Sequence, residues 1–198
     1  MLYSSLLKTK ILSPQHFLTS QWSGGSTTQL YIFPTNASYA KRNFELRIST
    51  AKVEMKESTF TSLPGYNRKL MILEGEISII HEDQYNKQLK PFEVDCFSGD
   101  WKTTSIGTCT DFNVMCSASL QSELYHLAMS SASNYKLKPK KACNNLFLYA
   151  TSGTIYLKLM QVNYVLEKGN LLHIENLGES PISMNSGNHF GLVVVEIY

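Results

Sequence analysis

The chain of 198 residues has little net charge: 18 Lys and Arg against 16 Asp and Glu leave +2 at neutral pH. So small and scattered a balance gives no surface for neutralising a phosphate backbone, and no nucleic-acid partner is expected. The one basic cluster, Lys136, Lys138, Lys140 and Lys141 around Pro139, reads as a solvated loop. The four cysteines (Cys96, Cys109, Cys116, Cys143) have no CxxC spacing and sit in apolar runs, where a free thiol behaves as a small hydrophobe. Neither a zinc site nor a disulfide framework is expected. Chemical signatures are missing as well: there is no GxxxxGK[ST] and no GxSxG. The five histidines (His16, His81, His126, His173, His189) are isolated, with no HxH pair. A metal then requires two His and a carboxylate brought together from distant strands, and no metal or cofactor is expected. No run approaches the ~20 apolar residues of a membrane helix. The N-terminus lacks an uninterrupted apolar region ahead of a small-residue cleavage site, so the expectation is no membrane and a cytoplasmic location.

Long helical periodicity is absent too, and what stands in its place is short-range alternation. Phe44, Leu46 and Ile48 face one way, Glu45, Arg47 and Ser49 the other. Asp111, Asn113 and Met115 share a face opposite Phe112 and Val114. Phe17–Trp22, Gln29–Phe33, Leu89–Pro91 and Val94–Phe97 read as further strands, Ser23–Thr28 as a glycine loop, and His81–Lys87 as a polar turn. Residues 1–13 fit either a helix or a strand. The fold class is all-β, in short strands, hence a sandwich or barrel. Such a chain is long enough to bury roughly 70% of its unfolded surface without a covalent staple.

The halves repeat. Leu70–Ile80 is an apolar hairpin cornered at Gly75, and Asn145–Leu157 has the same form around Gly153. The strands that follow recur in order: Leu89 matches Leu166, Cys96-Phe97 matches Leu172-His173, and the final strands begin at Asp111 and Gly191. Four matches in order predict an internal duplication: two tandem barrels, residues 1–129 and 130–198, packed as one unit and joined through Ser130–Lys141.

Glycine-cornered hairpins with a return strand, repeated twice, resemble a bicupin: two cupin-like jelly rolls in one chain. Five ordered pieces over residues 22–115 resemble the HutD/Ves family: Trp22-Ser23-Gly24-Gly25-Ser26-Thr27-Thr28-Gln29, Asn43–Ala51, Phe60–Arg68, Phe97-Ser98-Gly99-Asp100 and Asp111–Met115. The chain departs from the family at Gln29, where many members carry Glu, and at Glu45, where many carry Trp. The resemblance implies a bicupin fold in a cytoplasmic bacterial protein associated with histidine utilisation, with a suggested regulatory role and no established reaction.

Arg47 and Arg68 are the sharpest candidates, because each enters a strand otherwise built for burial, and a buried charge needs a partner. A guanidinium offers a planar fork suited to a carboxylate. Each either contacts a ligand or pairs with an internal acid such as Glu45 or Asp111. Ser49, Asn113, Thr27 and Thr28 can orient a small ligand in a mostly apolar cavity. Trp22 either caps the barrel mouth or anchors the arm, and Asp111 with Asn113 forms either part of a site or a strand-end network. Three functions follow: a metal-independent sensor or regulator binding a small anionic metabolite in the first barrel; a metal-free isomerase, epimerase or hydrolase with His81 or Asp111 as base; or an interaction module forming a homodimer. A carboxylate or His deep in the barrel beside a second acid–base group would favour the enzyme, and a sealed barrel the interaction module. The approach to the first corner, Pro64-Gly65-Tyr66-Asn67-Arg68, carries an arginine that Lys141–Leu146 lacks, so a site belongs to the first barrel.

Overall fold

Alternating segments become strands because extended backbone sends successive side chains to opposite faces of a sheet. The structure is a computed structural model and describes residues 6–129, 134–139, 143–187 and 189–198. Its strands are β1 (Lys8–Leu12), β2 (Leu18–Trp22), β3 (Gly25–Phe33), β4 (Leu46–Val53), β5 (Glu57–Thr59), β6 (Tyr66–Gly75), β7 (Ile77–His81), β8 (Tyr85–Leu89), β9 (Val94–Ser98), β10 (Thr103–Ile106) and β11 (Cys109–Ser117). There follow β12 (Ser122–Met129), β13 (Tyr135–Leu137), β14 (Cys143–Ser152), β15 (Thr154–Leu159), β16 (Val162–Glu167), β17 (Leu171–Gly178), β18 (Ile182–Asn185) and β19 (Phe190–Ile197). Among the described residues, no helix is long and apolar enough to cross a membrane.

Two units result, one from Phe17 to Gln121, the other from the N-terminal segment through His16 together with Ser122–Tyr198. The first unit faces a six-stranded sheet (β2-β3-β4-β11-β6-β9) with a four-stranded one (β5-β10-β7-β8); the second faces β1-β17-β14-β19-β12 with β13-β18-β15-β16. This is the bicupin jelly roll, although among the described residues no strand ladder closes either pair of sheets into a barrel.

The division of the chain differs from a cut after residue 129. β1 pairs along its length with β17, and β12 with β19, so both belong to the second unit. Local sequence does not record which distant ladder an edge strand joins. Of the expected connection, residues 130–133 and 140–141, including Lys140 and Lys141, lie outside the described residues, whereas Tyr135–Leu137 is strand β13 on β18. The glycine stretch is less of a loop than expected. It turns at Ser23-Gly24 and is strand from Gly25, with Thr27 opposite Ala51 and Thr28 opposite Thr50, since β-branched threonine favours extended backbone. His81 is the last residue of β7, and only the residues after it turn.

The duplication is exact at its corners. Gly75 and Gly153 hold φ of 82° and 72°, in the left-handed region that favours glycine. A Cβ on Gly75 would meet the Thr108 carbonyl at 2.4 Å, and one on Gly153 the His189 carbonyl at 2.5 Å, so each corner lies on the start of its unit's return strand. Those return strands begin at Cys109 and Phe190, slightly earlier than the alternation predicts.

The units differ in what fills them. Between the sheets of the second lie Leu146, Leu148, Ala150, Leu172, Ile174, Leu192 and Val194, facing Ile155, Leu157, Leu166 and Met184. Fully burying each large aliphatic side chain contributes about 1.5–3 kcal/mol. The first unit has a smaller apolar cluster, made of Val53, Leu70, Ile72, Ile77, Ile79, Leu89 and Phe97. It therefore keeps room at the other end of its sheet.

Candidate functional site

That room is a cavity of about 320 Å³ in the first unit, at the small end of the range for sites that take small molecules. Its floor is the inner face of the six-stranded sheet, and the register builds it in three steps. Arg47 and Arg68 flank Met115, one from each neighbouring strand. Two residues along, Ser49 and Leu70 flank Asn113, and two further Ala51 and Ile72 flank Asp111. Alternation alone brings these residues together, since every second position of three adjacent strands meets on one face. Trp22 and Ser20 from β2, Thr27 from β3, Val53 from β4, Ser58 and Thr59 from β5, and Tyr39, Phe60 and Thr61 from loops add to the lining.

Both arginines are buried, at 6% exposure, as are Ser49, Asp111 and Asn113. Arg47 donates from Nε to Gln29 Oε1 at 3.1 Å and from Nη1 to Ser49 Oγ at 3.1 Å, with its guanidinium 4.4 Å from the centre of the Tyr39 ring. Arg68 donates from Nη2 to Asn113 Oδ1 at 3.3 Å, and its guanidinium carbon is 4.9 Å from the centre of the Phe60 ring and 5.1 Å from that of Phe97. Its Nε is buried and has no hydrogen-bond partner among the described residues. Neither guanidinium forms an ion pair with a carboxylate among the described residues. Glu45 is exposed, and Asp111 is reached only through Asn113, whose Nδ2 donates to Asp111 Oδ1 at 2.5 Å. The two arginines are thus held by neutral amides, a hydroxyl and ring faces. Aromatic faces offset part of the desolvation of a cation but do not neutralise it.

The electrostatics follow. Burial lowers Arg68 to about 10, with Arg47 adding to the effect and Tyr39 and Asp111 opposing it. Burial also lowers Arg47, with Tyr39 opposing. Burial pushes Asp111 up to about 7, against Arg68, the Asn113 amide and the Ala51 N–H. Near neutral pH the pocket therefore holds two full positive charges and a carboxyl that is only partly ionised.

Seven of the eight predicted site residues line this cavity: Trp22, Thr27, Arg47, Ser49, Arg68, Asp111 and Asn113. Thr28 does not, because adjacent strand residues point to opposite faces; its hydroxyl bonds Thr19 Oγ1 at 2.9 Å. Met115 was placed on this face by the alternation of Asp111 and Asn113, and Ala51 and Val53 could have been found by extending that of Arg47 and Ser49. Tyr39 and Phe60 could not, since the chain outside the strands brings them over the arginines. Trp22 is 37% exposed and lies at the open side, where a Cβ on Gly24 would meet its ring.

His81 is elsewhere. It is buried, with Nε2 2.8 Å from Asp95 Oδ2 and Nδ1 2.8 Å from Thr103 Oγ1, and Tyr85 and Lys87 also reach Asp95. Here a histidine does sit beside a second acid–base group, but neither lines the cavity and both ring nitrogens are engaged. The network ties β7, β9 and β10 together. Among the described residues no group of three or more His, Cys, Asp or Glu side chains is placed to hold a metal ion.

The second unit shows what the duplicate made of the same positions. With Gly75 and Gly153 equivalent, the registers put Leu146 at the place of Arg68, Leu192 at that of Asp111 and Val194 at that of Asn113. Glu123 takes the place of Arg47, Tyr125 that of Ser49 and Glu196 that of Met115. Glu196 is fully buried and accepts hydrogen bonds from Tyr125 and Tyr198.

Comparison with known proteins bears on the whole chain. The HutD family profile matches residues 15–190. A crystal structure of a conserved protein of unknown function from Pseudomonas aeruginosa superposes with a TM-score of 0.82 at 20% identity, over 96% of this chain and 98% of that one. HutD from Pseudomonas fluorescens superposes with a TM-score of 0.68 at 15% identity, over 96% of this chain and all of that one. A cupin 2 conserved barrel protein from Leptotrichia buccalis follows at 0.59 and 13% identity, over 96% of both chains.

Proposed function

Because the chain belongs to the HutD family, we propose that it is a cytoplasmic regulator or sensor that binds a small organic anion in the cavity of its first unit. The observation that carries this reading is the pair of buried arginines that have no carboxylate partner among the described residues, one of them with an unsatisfied Nε there. A structural arginine is normally paired, since an uncompensated buried charge costs several kcal/mol. A carboxylate ligand supplies the missing charge and accepts hydrogen bonds in the fork geometry of a guanidinium. Met115, Val53 and Phe60 would cover its apolar part. Binding without turnover fits the site better than catalysis: His81 stands outside the cavity, and the side chain that hydrogen-bonds Asp111 there is the Asn113 amide, which is neither acid nor base.

A thermal-shift screen against small carboxylates, including the acids of histidine breakdown, tests the reading. A ligand at about 100 times its dissociation constant adds about 2.7 kcal/mol of stability, or roughly 5–10 °C for a chain of this size. Arg47→Ala and Arg68→Ala are expected to remove the shift. If both variants keep it, the pocket is not where the anion binds.

The threonines make a sharper internal comparison. Thr27→Val takes a hydroxyl from the cavity wall and is expected to weaken the bound anion by about 1 kcal/mol. Thr28→Val alters only the outer face and leaves affinity within about 0.3 kcal/mol, as for independent sites. Equal effects of the two substitutions on the calorimetric affinity would contradict this register.

A further inference from the structure

Among the described residues, Asp111 is the one carboxyl in a cavity whose other charged groups are both arginines. It is 3% exposed. Around it, Arg68 comes from β6, Arg47 from β4 and Tyr39 from the segment between β3 and β4. On its own strand, Cys109 is a thiol that burial pushes up to about 12, so it keeps its proton at neutral pH. β2, β3 and β5 contribute only Ser20, Trp22, Thr27, Ser58 and Thr59 to the lining, none of them charged. On β9, Asp95 is taken up by His81 of β7 and Lys87 of β8, and β10 carries no acid or base. Asn113 stands between Asp111 and Arg68, bonded to both, so the two charges are coupled without touching. The charge of the pocket therefore changes only by what Asp111 does.

We propose that this cavity binds its anion together with a proton, which Asp111 takes up. The proposal rests on the anion-binding reading of the same site. An anion held by Arg68 and Arg47 lies against the wall that contains Asp111, and a like charge close to so buried a carboxyl disfavours its ionised form. Burial already brings Asp111 to the neutral range, so the proton is available to take up there. By linkage, affinity then falls as pH rises, by at most about tenfold per pH unit where one proton accompanies each ion. The protonated carboxyl also becomes a donor, able to meet an acceptor oxygen of the ligand. The site would thus favour its anion when the surroundings turn acidic, with Asp111 a positioning residue for charge and no part of a reaction.

Isothermal calorimetry with formate and with sulfate tests this, since neither probe changes charge above about pH 5.5. Titrations at about pH 6, 7 and 8, in buffers of different ionisation enthalpy, read both affinity and proton uptake. The wild-type protein is expected to bind roughly tenfold or more weakly at the upper end, with close to one proton taken up there per anion. Asp111→Asn is expected to bind with a flat pH profile and no uptake. Should that variant not fold, wild-type proton uptake decides alone. A flat wild-type profile without uptake, with binding still lost in Arg68→Ala, overturns the proton coupling and leaves the anion site standing. Failure of both probes to bind at every pH overturns the two readings together.

Discussion

Replacing Arg68 by methionine is expected to stabilise the ligand-free protein by about 1–3 kcal/mol at about pH 6 while abolishing anion binding. Arg68 sits at 6% exposure, and burial lowers it from 12.5 to about 10. At roughly 1.4 kcal/mol per unit, keeping its charge at neutral pH costs about 3 kcal/mol relative to the neutral form. The sign is fixed by the direction of the shift. Native and unfolded states are both protonated at pH 6, so the cost is fully present, and only above about pH 10 would the native state escape it. Methionine fills a similar volume beside the Phe60 and Phe97 rings, and sulfur packs well on aromatic edges. Near pH 6 Asp111 mostly holds its proton, so removal of the arginine strands no carboxylate. Guanidinium denaturation of the two proteins, with equal m-values, reads the difference. A loss of more than about 1 kcal/mol would mean that Arg68 is a structural tie after all, and the basis for a ligand would go with it.

The second large effect is on pH dependence. Folded Asp111 keeps its proton up to about 7, whereas an aspartate in an unfolded chain releases it near ~3.9. Between those values the native state binds more protons than the unfolded state, so stability falls as pH rises. Across the interval the loss amounts to roughly 3–4 kcal/mol, complete by about pH 8. Other carboxylates superimpose the opposite trend, which is why the informative quantity is the difference from Asp111→Asn. The amide preserves shape and can still accept from the Ala51 N–H and from Asn113 through its carbonyl oxygen. The variant is expected to gain on the wild type steadily from about pH 4 to about pH 8, by roughly 3–4 kcal/mol in total. Parallel stability curves for the two would show that Asp111 is solvated and ionised in the folded protein.

Both predictions concern groups that cost stability in the empty protein. Natural sequences tolerate such costs where a site needs them, and the contrast within this chain points the same way. At the positions of Arg68, Asp111 and Asn113, the second unit has Leu146, Leu192 and Val194 and a filled interior. The fold does not need the polar residues.

Much of this was legible from local sequence. Alternation put Arg47 with Ser49 and Asp111 with Asn113 and Met115, because a strand has only two faces and the period is two. The glycine corners at Gly75 and Gly153 announced the duplication, because few residues other than glycine can turn there against a carbonyl. Alternation does not say which face is dry. In β4 both sets are buried, Leu46 and Ile48 as well as Arg47 and Ser49. Thr27 and Thr28 looked equivalent as neighbours, and only pairing with β4 sent one inward and the other out. His81 looked like the start of a polar turn, yet its ladder ends on it and encloses it with Asp95.

The sequence by itself determined the all-β class, the repeated corner and the chemistry of the first unit's inner face, since these depend on residue types at fixed short spacing. Tertiary structure alone decided where the units divide, which aromatic rings cover the arginines, and that neither arginine meets an acid among the described residues. Those outcomes depend on pairing between strands far apart in the chain. They turn two arginines that alternation had already marked into buried charge held without an acid among the described residues.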